Sequence, residues 1–152
     1  MRARLLLSLC SAGLLLAPGV GLAQQQPSTD GAYRGTLVCE HLPGTAGILR
    51  APLDIVVTGN AVVGARPIFN RDGSRVVGTE IATGSLSGDG ALHLTSAWQA
   101  AGSSFKATYS GTLTASGGTL SGSESWTRSA SNGGNASRAC YGAYVKGPEQ
   151  DQ

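Results

Sequence analysis

Two carboxylates fall at positions where a β-strand would turn them into the protein interior. Glu124 lies between Gly122 and Trp126, in a stretch where apolar or small residues alternate with Ser and Thr. Glu80 shares the strand face of Ala82, two residues further along. Because side chains alternate across a strand, both acids are predicted to point inward. A buried carboxylate needs a partner or its pKa shifts, so these two are the first candidates for chemistry.

The predicted strand registers bring three aromatic residues next to these acids. The turns that flank the strands would place Glu124 opposite Tyr109, and Glu80 opposite Trp98. The candidate binding site therefore comprises Glu80, Trp98, Tyr109, Glu124 and Trp126. One interpretation is an aromatic-walled pocket with two acids that takes a sugar, an amine or a peptide. The other is a structural hydrogen bond between Glu124 and Tyr109 beneath a closed mouth.

Patterns for other kinds of chemistry are weak. The two histidines, His41 and His93, have no Cys, Asp or His at metal-ligand spacing. A Gly-x-Ser-x-Gly-like stretch carries Leu86 where the nucleophile would stand. Glycoside hydrolysis by Glu80 and Glu124 would need a carboxylate separation of about 5 to 10 Å, which no spacing in the sequence establishes. We therefore expect no enzymatic activity, no cofactor and no metal.

The elements that would position these residues are short β-strands. Runs of Val, Ile, Leu, Thr and aromatic residues are broken by Gly, Asn, Asp and Ser, which favours an antiparallel meander. The 23 glycines also disfavour helices. Eight strands are predicted, over 32–40, 52–58, 62–70, 76–87, 91–99, 105–114, 119–128 and 138–146. The expected fold is all-β, an up-and-down antiparallel barrel of about eight strands over 31–146, with a β-sandwich of the same meander as the alternative.

Two hairpins decide which side chains face inward. A turn over 115–118 would set Leu113 opposite Leu120. At Gly59-Asn60, a two-residue turn points Arg66 inward, whereas a three-residue turn points Val63 inward. Three arginines around the following hairpin are predicted to be solvated turn residues: Arg66, Arg71 and Arg75.

Closure of the barrel is predicted from its two cysteines. With Cys39 opposite Cys140 in an antiparallel pair, Leu37 faces Gly142, and the next inward pair again joins a small and a large residue. A first strand paired with the last closes a sheet and removes its edges. In an oxidising compartment the two cysteines are expected to form a disulfide.

The loops of such a meander differ at its two ends. The odd-numbered loops are the long ones, predicted over 41–50, 71–75, 100–104 and 129–137. The even-numbered loops are tight turns, and the chain termini join them. Barrels carry binding sites on such loops or in the mouth, so a partner site is expected at the long-loop end.

The first 23 residues read as a signal peptide. Arg2 and Arg4 precede an apolar stretch over 5–17, and small residues end at Ala23, where cleavage is expected. Residues 24–30 are predicted to be a mobile leader, and 147–152 a polar tail. Loss of the two arginines leaves equal numbers of basic and acidic residues, which argues against a nucleic-acid partner. We expect a periplasmic or secreted protein with no membrane span in the mature chain.

The sequence resembles small exported single-disulfide barrel proteins of Gram-negative bacteria, most of them hypothetical proteins. The motifs that carry this likeness are Tyr33-x-Gly35-x-Leu37-x-Cys39, Tyr109-Ser110-Gly111-x-Leu113, Leu120-x-Gly122-x-x-x-Trp126 and Arg138-x-Cys140. In architecture it is similar to periplasmic lysozyme and metalloprotease inhibitors, and no functional residue is carried over from them to this sequence. The resemblance implies a binding or inhibitor-type barrel with an unknown small-molecule or protein partner in the cell envelope. The alternatives are a structural or surface protein without a discrete ligand, and a small outer-membrane barrel.

Overall fold

The protein is a closed barrel of eight antiparallel strands. The structure, a computed structural model, describes residues 28–45, 47–70, 72–100 and 102–148. Its strands are β1 Gly31–Cys39, β2 Leu49–Thr58, β3 Ala61–Phe69, β4 Val76–Leu86, β5 Ala91–Ala100, β6 Ser103–Leu113, β7 Gly117–Arg128 and β8 Ala136–Lys146. Each strand pairs with the next, and β8 pairs with β1. The predicted up-and-down barrel is confirmed and the sandwich alternative is wrong.

Several terminal predictions lie outside the described residues. These are the signal peptide, the first part of the leader over 24–27 and the end of the tail over 149–152. The described end of the leader contacts the tight-turn end of the barrel, where Asp30 Oδ1 accepts a hydrogen bond of 2.7 Å from the backbone of Gly59. Among the described residues, no helix is long and apolar enough to cross a membrane.

The closing strand pair has the predicted register. Cys39 lies opposite Cys140 and Leu37 opposite Gly142, and the two cysteines form a disulfide. Two residues along, Gly35 lies opposite Tyr144. A Cβ atom at Gly35 would lie 2.0 Å from the carbonyl oxygen of residue 143, so only glycine allows the strands to approach this closely here. The first and last strands are thus joined by a disulfide, and at two positions a large side chain on one strand lies opposite a glycine on the other.

Apolar side chains fill the barrel from the tight-turn end upward. Inward positions alternate with solvent-facing ones along every strand, as expected for a small barrel. The fully buried members of this core include Tyr33, Leu37, Ile55, Val57, Val62, Leu92, Leu94, Phe105 and Leu113.

The β6–β7 hairpin differs from its prediction by two residues in register. The turn has three residues, 114–116, because β7 begins at Gly117. Leu113 therefore pairs with Gly118 rather than with Leu120, and Tyr109 pairs with Gly122. The observed register sets each of these large inward residues against a glycine. The predicted turn would have placed Leu113 against Leu120 and crowded the interior.

The β2–β3 hairpin takes the tighter of its two predicted turns. Thr58 pairs with Ala61 across Gly59-Asn60, and Arg66 consequently points into the barrel, where it is 4 % exposed. The prediction that Arg66 is a solvated turn residue is wrong. Arg75 is exposed as predicted, and Arg71 lies outside the described residues.

The loops at the two ends of the barrel differ in length as predicted, except for the β5–β6 loop. Three of the odd-numbered loops are long, over 40–48, 70–75 and 129–135, and the last contains a short 3₁₀ turn, Ala130–Asn132. The β5–β6 loop is only 101–102, because the strand pairing continues to Ala100 and Ser103. The mouth of the barrel is therefore bordered by one short loop, between β5 and β6, and by three longer loops.

The disulfide is expected to stabilise the closed barrel. In the chain that begins at Gln24, replacing Cys39 and Cys140 together by Ser should lower the free energy of unfolding by about 2 to 5 kcal/mol, because the open loop between them regains its conformational freedom on unfolding. Urea unfolding of the oxidised protein and of the double variant measures the difference. Equal midpoints would contradict the prediction, as would two free thiols in the denatured, unreduced protein.

Candidate functional site

Glu124 is the centre of a buried polar cluster near the mouth. It points inward from β7 and is 0 % exposed. Its Oε2 accepts hydrogen bonds from Arg138 Nε at 2.7 Å and Trp126 Nε1 at 2.9 Å, and its Oε1 accepts one from Arg66 Nη2. Glu124 pairs across the β6–β7 ladder with Ala107, so its predicted position opposite Tyr109 is wrong. The shorter turn at 114–116 accounts for this shift.

Arg66 connects Glu124 to the second acid. Its Nε forms an ion pair with Glu80 Oε2, while its Nη2 reaches Glu124 across the barrel. The hydroxyl of Ser96 donates to Glu80 Oε1, and the hydroxyl of Tyr109 lies 3.2 Å from Glu80 Oε1 and 3.3 Å from Glu124 Oε1. Its single proton can be donated to either carboxylate.

We refer to five residues as the ion-pair cluster: Arg66, Glu80, Tyr109, Glu124 and Arg138. All five are less than 9 % exposed. Two guanidinium groups balance two carboxylates, as is required of charges buried in a protein interior. Glu80 lies directly opposite Arg66 in the β3–β4 ladder, and Glu124 lies directly opposite Arg138 in the β7–β8 ladder. Each acid is therefore held by the arginine of the neighbouring strand.

The pKa values of the cluster follow from this arrangement. Burial on its own lowers the pKa of Arg66, but the carboxylates of Glu124 and Glu80 outweigh it and the pKa is raised, so the guanidinium is charged. Burial raises the pKa of Tyr109, and the same two carboxylates raise it further. Tyr109 therefore keeps its proton and acts as a donor.

The disulfide packs directly against the cluster. Cys39 Sγ lies 3.6 Å from Glu124 Oε1, and the Sγ atoms of Cys39 and Cys140 lie within 4.8 Å of that carboxylate. These three residues have the atom types of a metal site. Their sulfurs are bonded to each other, however, and metals bind the thiolate form. The contact in this structure is therefore one of packing.

Three aromatic rings form the wall above the cluster. Phe105 pairs with Trp98 in one ladder and with Trp126 in the other, and the three ring centroids form a triangle with sides of 6.0 Å, 4.6 Å and 6.1 Å. The guanidinium of Arg138 lies 5.8 Å from the Trp126 ring, within cation–π distance. The predicted pairing of Trp98 with Glu80 does not form, because the β4–β5 ladder ends at Ser96, two residues before Trp98.

A cavity of about 530 Å³ opens at the long-loop end. Its apolar lining includes Leu42, Leu49, Ile68, Trp98 and Trp126, and its charged lining includes Arg66 and Arg138. Below the arginines the interior closes to a void of about 10 Å³, near the lower limit for one water molecule. The cluster is thus the floor of the cavity.

The structure brings all five predicted site residues close together, but only some of them line the cavity. Trp98 and Trp126 line the cavity, whereas Glu80, Tyr109 and Glu124 lie beneath it and are not part of its lining. The prediction that the two acids face a ligand in the pocket is therefore wrong. At the floor of the cavity the charged groups that face it are the arginines Arg66 and Arg138.

The sequence analysis placed neither of these arginines in the candidate site, although one of its two turns pointed Arg66 inward. The two-residue turn at Gly59-Asn60 would have placed Arg66 inward. Arg138 lies two residues before Cys140, on the same strand face as that inward cysteine. The signal for Arg138 was therefore the same alternation that located Glu124.

Comparisons of this chain with protein-family models, with curated proteins and with solved structures gave no match.

Glu124 is expected to be essential to stability. Glu124→Gln keeps the size of the side chain but leaves two buried guanidiniums facing one carboxylate, so the free energy of unfolding should fall by about 3 to 5 kcal/mol. Glu40→Gln, on an exposed residue just after β1, is the matched control and should change it by less than about 0.5 kcal/mol. Urea unfolding monitored by circular dichroism measures both, and equal effects would contradict the role given to Glu124.

Tyr109 is expected to make stability sensitive to alkaline pH. Its pKa is raised in the folded protein, so above pH 10 the unfolded chain releases this proton while the folded chain keeps it. Stability should therefore decrease by about 1.4 kcal/mol per pH unit from this residue alone. Tyr109→Phe should reduce the slope of unfolding free energy against pH between 10 and 12 by that amount. The remaining slope comes from other groups such as Tyr144, whose burial raises its pKa to about 12. An unchanged slope would contradict the assignment.

Proposed function

We propose that this chain is an exported, non-enzymatic binding protein that holds a ligand in the cavity at the long-loop mouth of the barrel. The observation that carries the proposal is the cavity itself, which lies above the ion-pair cluster with Trp98 and Trp126 in its wall. Its volume of about 530 Å³ is within the range of small-molecule sites. An apolar wall combined with a few convergent polar groups is also the usual composition of such sites.

The positions of the two acids support binding rather than catalysis. A general acid or base must reach the proton it transfers, directly or through one water. Glu124 is fully buried, and both of its oxygens accept hydrogen bonds from arginines. Glu80 is 2 % exposed and engaged by Arg66 and Ser96. Neither carboxylate is placed to reach a substrate in the cavity.

Two features weigh against the alternative functions. A structural barrel without a ligand would fill its mouth with side chains, as the lower half of this barrel is filled. An outer-membrane barrel would present an apolar band outward. Here the outward positions of β6 and β7 are exposed Lys, Ser and Thr. Exposed apolar side chains such as Val56, Ile81 and Val145 occur on other strands, so the outward apolar residues do not continue around the barrel as a band. An inhibitor-type barrel would use the same mouth for a side chain of a partner protein.

Entry of a small molecule into the cavity can be followed with the protein's own fluorescence. The chain has two tryptophans, and both line the cavity. Titration with 1-aminoanthracene, a neutral probe that emits in apolar sites, should quench the tryptophan emission and enhance the probe emission in a saturable, one-to-one manner. No saturable binding would contradict the proposal.

Gly78→Val provides the variant that blocks the cavity. A Cβ atom at Gly78 would lie 2.7 Å from Trp98 Nε1, so the indole must move away from β4. Affinity for the probe should fall by about tenfold or more, which corresponds to 1.4 kcal/mol. Gly88→Val is the matched control, because Gly88 lies in a turn at the opposite end with no atom within 4 Å of an added Cβ. Equal loss in both variants would assign the effect to general destabilisation rather than to the cavity.

A further inference from the structure

Two polar side chains at the floor and wall of the cavity, Arg138 and Trp98, offer it hydrogen-bond donors. Arg138 directs Nε and Nη2 at Glu124 Oε2, and the described part of the chain offers no acceptor to its Nη1. Its side chain is only 6 % exposed, so the guanidinium is held in one orientation. The indole Nε1 of Trp98 likewise has no acceptor among the described residues. A ligand that fits this floor must therefore present hydrogen-bond acceptors.

The charge of the lining favours one negative charge on the ligand. Within the ion-pair cluster, the two arginines are balanced by two glutamates. Outside it, the charged lining residues are Arg50, Arg128 and Asp72. Asp72 is exposed in the β3–β4 loop, where its carboxylate accepts a hydrogen bond of 2.8 Å from the backbone of Ser74. Over the described lining residues the surplus is a single positive charge, so this part of the lining favours an anion over a cation.

A carboxylate is the anion that the arginine geometry suits. A guanidinium presents its donors in a planar fork, and charge-assisted hydrogen bonds to carboxylates are about twice as strong as neutral ones. Because Arg138 is already desolvated and oriented by Glu124, a ligand carboxylate would not have to order it.

The rest of the lining fits a flat apolar group. Trp98 and Trp126 form one side of the cavity, and Leu42, Leu49 and Ile68 contribute to the remainder. Aromatic faces pack well against planar rings, and a cavity of about 530 Å³ accommodates a two- or three-ring compound.

We infer that the ligand is a monocarboxylate with a flat apolar ring system, bound with its carboxylate on Arg138 and its rings against Trp98 and Trp126. This inference rests on the proposed binding function and specifies its ligand class. An acid of this kind would enter through the mouth with its charged end first. The apolar rings would then cover the guanidinium and exclude water from the ion pair.

Three naphthalene probes of equal size test the charge preference in the folded protein. Isothermal titration calorimetry compares 2-naphthoate, neutral 2-naphthamide and cationic 2-naphthylmethylammonium. The naphthoate should bind about tenfold or more tightly than the amide, because it adds a charge-assisted bond to Arg138. The ammonium compound should bind most weakly, and the naphthoate should displace 1-aminoanthracene.

Arg138→Lys locates the preference at one residue. The lysine keeps a positive charge beside Glu124 but removes the fork of donors, so the preference for naphthoate over naphthamide should fall to about threefold or less. Arg34→Lys is the matched control, because Arg34 is exposed on the outside of β1 with 80 % of its side chain accessible. This control should retain the full preference.

The possible failures are distinguishable. Equal affinities for the naphthoate and the amide, or tighter binding of the ammonium compound, would overturn the carboxylate assignment while leaving the cavity as a binding site. Full preference in Arg138→Lys would overturn the role of Arg138. Failure of all three probes and of 1-aminoanthracene to bind would overturn the proposed function itself.

Discussion

The buried pairing of Glu124 with Arg66 and Arg138 is the interaction on which the upper half of this barrel depends. Glu124 lies on β7, Arg138 on the adjacent β8 and Arg66 on β3, across the barrel. The Arg66–Glu124 bond therefore joins strands that share no ladder in the sheet. Arg66 also holds Glu80 on β4, so four strands meet in one hydrogen-bonded unit. This unit separates an apolar core below from an open cavity above.

The cost of this arrangement explains why its polar atoms are so extensively paired, with Arg66 Nε and Glu80 Oε2 forming an ion pair without a hydrogen bond. Each buried ion loses several kcal/mol of hydration, and the loss is recovered only where pairing and hydrogen bonding are good. The cluster meets this condition with additional donors from Trp126, Ser96 and Tyr109. Well-packed apolar side chains of the same volume could give equal stability. The charges are therefore better explained by what they place at the cavity floor, which is a set of fixed guanidinium donors.

The fold was largely predictable because its signals are local or covalent. Alternation identified the strands, and Cys39 opposite Cys140 set the closing register without reference to the rest of the chain. The errors arose where the register depended on turn length alone. The connection between paired residues of β6 and β7 is two residues shorter than predicted, which moved Tyr109 from Glu124 to Gly122, and the choice of turn at Gly59-Asn60 decided whether Arg66 was inside. A pocket with Trp98 and Trp126 at the long-loop end was expected, but its shape was not predictable, since it depends on the contact of the Trp98 indole with Gly78 and on the two-residue β5–β6 loop.

The polarity of the site depends on which member of each ion pair reaches the cavity. An inward acid in a sequence suggests a carboxylate facing a ligand, and on that basis Glu80 and Glu124 predict a site for a sugar, an amine or a peptide. Each acid, however, stands directly opposite an arginine in the adjacent strand. The arginine side chain is longer and carries donors on three nitrogens, so it can satisfy the acid and still present a donor beyond it. The acids then act as anchors that orient the arginines, and the same four residues give a neutral floor whose guanidinium donors are the groups offered to the proposed ligand.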